Sequence, residues 1–253
     1  MMLAERVMLV GMVLLTLGSA AAADDLDVLF DRGCDLYDNG DFDAALEHFQ
    51  ALTASGVRDA TVYFNVGNCH YKRGDVGMAV ASYRRALMLS PRDRDTKQNL
   101  MLVRQAVGTG DTTATYSLGN LALIPLKVLS PRELQLIFYF SYYLTVLCFL
   151  GVLFLRGEIR RASIRGLVVL VIMTVGLLVL SRYSIARFSD SSEAVVTADM
   201  AQIKSGPGDA FDELAKLPDG VEVRLRGQTG LWVEVELPTG EIGWLRRADL
   251  ETI

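Results

Sequence analysis

The sequence predicts a multidomain membrane protein: an all-α helical repeat array, a two-helix transmembrane hairpin and a small all-β barrel. Three observations carry this expectation. An offset of 34 residues lays one stretch of the N-terminal region over another. Two long apolar runs without charge follow each other after residue 130. The last stretch, of about 60 residues, alternates apolar and polar side chains between glycine turns, the pattern of short antiparallel strands.

Hydrophobic residues make up 51% of the 253, and a mean hydropathy of +0.29 leans toward membrane segments. The chain opens with Arg6 in a short polar region, runs apolar from Val7 to Leu17, and ends in small residues before Asp24 and Asp25. That layout predicts a secretory signal peptide over 1–23, cut after Ala22 or Ala23; an uncleaved anchor is the alternative. Either way, the region that follows is exported.

An array is expected over 24–107. Gly33 falls on Gly67, Tyr37 on Tyr71, Gly40-Asp41 on Gly74-Asp75, Ala45 on Ala79 and Phe49 on Tyr83, every offset being 34. Tyr63, Val66-Gly67, Tyr71, Ala79, Tyr83, Ala86 and Pro91 fill a large–small pattern suited to two antiparallel helices. The pattern resembles the tetratricopeptide repeat. Gly74 is expected to turn the chain and Asp75 to cap the helix after it. Leu100, Val103 and Val107 then mark a closing helix that covers the last repeat.

The triplet Asn68-Cys69-His70 invites a cysteine-hydrolase reading, which helix geometry opposes. Consecutive residues point about 100° apart and cannot converge on one substrate. His70 is expected to pack and His48 to lie at the surface, with no catalytic, metal or cofactor site. Cys148 reads as an apolar filler. A Cys34–Cys69 disulfide is permitted in an exported region but is not required by two cysteines alone.

In such an array the first helix of each repeat lines the concave surface. The candidate groove is therefore Asp27, Phe30, Asp31, Cys34, Tyr37 and Asp38, then Phe64, Asn65, Asn68, Tyr71 and Lys72, then Asp95, Asn99 and Leu102. Some arrays of this kind clamp a carboxylate with paired Lys and Asn; here the first repeat lacks the lysines. Residues 24–59 hold ten acids against two bases, a net of −8, whereas 60–107 hold three against eight, a net of +5. The two faces are either solvated or orient a partner or a neighbouring copy.

Residues 108–130 read as a linker and juxtamembrane segment, whose apolar stretch 121–129 either lies at the membrane surface or packs under the repeats. Ser130, Pro131 and Glu133 predict a capping box opening a first transmembrane helix over 131–155. A second is expected over 166–187. Between them, at 156–165, Arg156, Arg160, Arg161 and Arg165 outnumber Glu158, which predicts a cytoplasmic loop with both flanking regions on the far side.

Residues 190–253 hold "VEVRLRGQTGLWVEVELPTGEIGWL", a meander turning at Gln228-Thr229-Gly230 and Thr239-Gly240. With "IKSGPG" and "ADLE", it resembles the bacterial SH3-like domain. Trp232 is expected in the core, and Trp244 either lines a groove or packs. Thirteen acids against six bases in this region do not favour nucleic acid as a partner.

The order of these parts, with "LSPREL" before the hairpin, resembles the BatE-type proteins of bacterial Bat (aerotolerance) operons. That resemblance implies partner membrane proteins bearing von Willebrand A domains and a cytoplasmic MoxR-type ATPase. It implies a place in the bacterial inner membrane, with repeats and SH3-like domain on the periplasmic side. The leading expectation is a non-enzymatic scaffold. The alternatives are a peptidoglycan binder acting through Trp244 and a thiol oxidoreductase acting through Cys34 and Cys69.

Overall fold

The computed structural model describes residues 25–108, 125, 128–186 and 192–253. The expected signal peptide and most of the expected linker lie outside the described residues.

Five helices form the array: α1 over 25–38, α2 (Phe42–Ala54), α3 (Ala60–Arg73), α4 (Val76–Leu89) and α5 (Arg94–Val107). The 34-residue offset has a steric cause. A Cβ on Gly33 would stand 2.7 Å from the Phe49 ring, and one on Gly67 2.6 Å from the Tyr83 ring, so each ring sits on a bare backbone. Phe49 and Tyr83 are consequently buried, and the cores around them account for the repeat. Asp41, Asp59 and Asp93 accept backbone amides of Ala44, Thr61 and Thr96, capping α2, α3 and α5.

Helix α6 (Pro131–Phe154) opens with the expected capping box: Ser130 accepts the Glu133 amide and Glu133 accepts the Ser130 amide. Helix α7 (Gly157–Ala186) begins earlier than the apolar run suggests. The expected loop 156–165 is mostly helical, because Arg, Glu and Ala are good helix formers and Arg161 pairs with Glu158 at 2.8 Å. Both helices are long and apolar enough to cross a membrane, and only 6% of each apolar window is buried, so their surfaces suit lipid better than a core. Where they touch, the hydroxyls of Ser141 and Thr174 lie 2.7 Å apart, with Thr145 3.0 Å from Thr174.

Seven antiparallel strands follow: β1 (Glu193–Val196), β2 (Ala201–Lys204), β3 (Glu213–Leu217), β4 (Glu222–Thr229), β5 (Trp232–Glu236), β6 (Ile242–Arg246) and β7 (Leu250–Thr252). The meander β4-β5-β6 is present, but the expected barrel is not. The order is β3-β2-β6-β5-β4-β1-β7, an open sheet with β3 and β7 at its edges. Closure would need those edges to pair. Instead α4 lies against β7, protecting that edge as a closed barrel otherwise would. On β3, exposed Glu213 and Lys216 blunt the other edge.

Candidate protein-binding groove and the docked sheet

The first-helix face runs across α1, α3 and α5. On α1, Asp27, Asp31 and Asp38 are exposed, and Phe30, Cys34 and Tyr37 are half-buried against the first core. Phe30 meets Phe49 edge-on, 5.7 Å between ring centres, and lines a cleft with Leu26, Leu52, Val57 and Val62. On α3, Tyr71 (47% exposed) and Lys72 reach solvent, while Phe64 packs beside Tyr83. On α5, Asp95 and Leu102 (55% exposed) are open.

The three asparagines belong to one network. The Tyr83 hydroxyl donates to Asn68 Oδ1 at 2.8 Å, Asn99 Nδ2 donates to the same oxygen at 3.0 Å, and Asn68 Nδ2 reaches Asn65 Oδ1 at 3.5 Å. Asn68 therefore ties α3 to both α4 and α5. Its replacement would loosen the array as well as alter the surface.

Behind this face, His70 is 4% exposed and packs, as expected. Its Nδ1 donates to Asp75 Oδ2 at 3.1 Å, while Nε2 is buried with no hydrogen-bond partner among the described residues. Burial pushes its pKa down from the usual 6.5, the Asp75 hydrogen bond opposing only in part. Cys34 and Cys69 are free thiols. Burial pushes Cys69 up to about 11, so the thiol is neutral near pH 7 and a poor nucleophile.

Asp75 corrects a second expectation. It stands at the N-cap of α4 but makes no side-chain cap; its carboxylate faces His70 and, at 3.3 Å, Arg73. The cap comes from the β-sheet module. Asp219, in the turn before β4, accepts the Gly77 amide at 2.8 Å and also the Val76 amide. A Cβ on Gly77 would collide with that carboxylate and with the Val196 carbonyl, so the close approach requires glycine. Burial raises the Asp219 pKa, with the two amides opposing.

The docking continues along α4 and α5. Val195 and Ile253 share one buried core with Ala79, Val80, Tyr83, Leu100 and Val103. Around it, Glu222 takes both Arg104, 2.6 Å from Nη2, and Arg84, 3.2 Å from Nε. Arg84 also pairs with Glu193, and Arg85 with Glu251 and the Thr252 carbonyl. The basic surplus of 60–107 thus meets carboxylates of the same chain. Reasoning from sequence missed these arginines, although opposite charge surpluses in the two modules were a readable signal.

These stacked helix pairs, with their small-residue holes, are the geometry of a repeat family. Residues 30–94 match the tetratricopeptide repeat. The match covers α2 to α4 and most of α1 and belongs to that stretch alone. No curated protein matches the chain. In the sheet module, Trp244 is half-buried on β6, opposite Glu234 on β5 and Lys204 on β2. Trp232, expected in the core, is also half-buried, with the Arg246 guanidinium 5.5 Å from its ring centre.

Proposed function

We infer that this chain is a non-enzymatic, membrane-anchored scaffold for protein–protein contacts. One observation carries the reading: the sheet module docks on α4 and the C-terminal end of α5, while Asp31, Tyr71, Lys72 and Leu102 on the first-helix face remain exposed. A repeat whose outer side is occupied by its own chain keeps its other side for a partner. The acidic first repeat favours a basic segment there, with apolar side chains for the Phe30 cleft.

The hairpin supports a membrane anchor, and the arginines at its turn favour a cytoplasmic turn with both modules on the far side. The contact between the array and the sheet agrees with that arrangement, since two spans return the chain to the side it left. The order of parts favours a place in a Bat-type envelope complex with von Willebrand A-type membrane proteins as partners.

Chemical cross-linking of the full chain in native membranes, followed by co-purification, tests this. Tyr71→Glu and Leu102→Glu alter exposed positions outside the Asn68 network and should reduce partner recovery by about tenfold or more, as for interface anchors. Undiminished recovery with both variants would remove the groove from the mechanism.

A further inference from the structure

The turn of the hairpin carries charge that the rest of the chain does not use. Among the described residues Arg156, Arg160 and Arg165 have no acidic partner, and only Arg161 is paired, with Glu158. Because most of 156–165 is helical, these side chains stand at definite heights. The Thr145 and Thr174 hydroxyls, 3.0 Å apart, mark one level where α6 and α7 touch. From there Phe154 on α6 and Arg165 on α7 each lie nine residues nearer the turn, about 14 Å along a helix. Phe154, 87% exposed, is therefore level with Arg165. Arg161 and Arg160 follow about 6–8 Å beyond. In the other direction the chain from Arg165 to Arg182 is free of charge and about 26 Å long, close to the thickness of bilayer hydrocarbon.

We propose that this turn is a docking surface for a leaflet of anionic phospholipid. The inference rests on the membrane-anchor reading of the hairpin. With the charge-free stretch in hydrocarbon, Arg165 stands at its edge and reaches out to the phosphates, and Arg160 lies among them. An exposed aromatic ring at the height of the innermost arginine suits the boundary between acyl chains and headgroups. An acidic protein face in water would pair the arginines but leave the Phe154 ring uncovered. Arginine's planar fork also suits a phosphate with two free oxygens.

The test uses the full chain carrying Phe154→Trp, in phosphatidylcholine vesicles that contain a minor fraction of brominated phosphatidylglycerol or brominated phosphatidylcholine. Bromine quenches an indole beside it, and the chain without the substitution gives the background from Trp232 and Trp244. Brominated phosphatidylglycerol should associate preferentially. Arg156→Gln, Arg160→Gln and Arg165→Gln should each lower that preference by up to about fivefold, the effect of one basic residue near an anionic surface, and together should abolish it. Glu158→Gln, which removes the one acid of the turn, should raise it. Equal quenching by the two lipids, a preference that survives the triple variant, or loss of preference to equimolar inorganic phosphate would each overturn the proposal. Flotation with phosphatidylcholine vesicles separates the two readings. A chain that floats without lipid preference loses only the docking surface, and one that does not float loses the membrane anchor as well.

Discussion

Asp41 and Asp75 are the same residue type at equivalent places, one repeat apart, yet only Asp41 caps its helix. The difference follows from what else competes for the carboxylate. Asp75 has His70 and Arg73 within reach, and its cap position is filled by Asp219. Burial gives His70 a stable neutral form, which the Asp75 hydrogen bond opposes only in part, and a pH dependence with it. Its pKa is lower folded than unfolded, so below about 6.5 the unfolded chain binds more protons and acid favours unfolding. The His70 contribution is complete above that value and is lost as the pH falls from it through the lowered folded pKa. Amide hydrogen-exchange protection factors across α3 and α4 in the full chain, corrected for the intrinsic pH dependence of exchange, should fall between pH 7 and 5. His70→Phe, restoring a ring without a titrating group, should remove that part of the loss of protection; Arg73, Asp75 and Glu251 are the charges that also face the site. An identical pH profile in the variant would contradict the assignment.

At the scale of elements, α4 is a helix whose start is completed from outside the array. Asp219→Ala should destabilise it by about 1 kcal/mol, the usual cost of a lost cap. The loss should appear as faster exchange at Val76 and Gly77 while α2, capped by Asp41, is unaffected. Unchanged exchange at those two amides would mean that Asp75 serves equally well. The local elements were legible in the sequence for the same physical reasons that form them. Gly33 and Gly67 had to be bare to admit Phe49 and Tyr83, and Ser130-Pro131-Glu133 could only open a helix. Strands β4 to β6 showed in their alternation. What was not legible was how β1 and β7 are used. Ala194, Val195 and Val196 form an unbroken apolar run because β1 is buried against the sheet on one face and α4 on the other. A run of that kind says that a strand is covered twice, without saying by what. The barrel expectation failed at that point, since closure and a covering helix both protect an edge.

At the scale of the molecule, two modules separated in sequence by a hairpin of two long apolar helices share one core and a ring of ion pairs. The candidate groove was legible only in part: repeat geometry placed Tyr71, Lys72 and Leu102 at the surface. Spacing alone could not reveal that Asn65, Asn68 and Asn99 serve one another. Nor could it pair Arg104 with Glu222, 118 residues apart. Both members of that pair are mostly buried, and a double-mutant cycle with Arg104→Ala and Glu222→Ala should give a coupling on the order of 1 kcal/mol that shrinks in high salt. No coupling would mean that this ion pair adds nothing to the contact made by the Val195 and Ile253 core and the remaining polar pairs. The cap on α4 also has a history in time. Gly77 leaves the ribosome 142 residues before Asp219. At about 5–20 residues per second, the helix waits roughly 7–30 seconds for its cap while both long apolar helices are made. The second repeat and α5 therefore reach their final form only once the sheet is made, although the second repeat is the part whose sequence follows the pattern most closely.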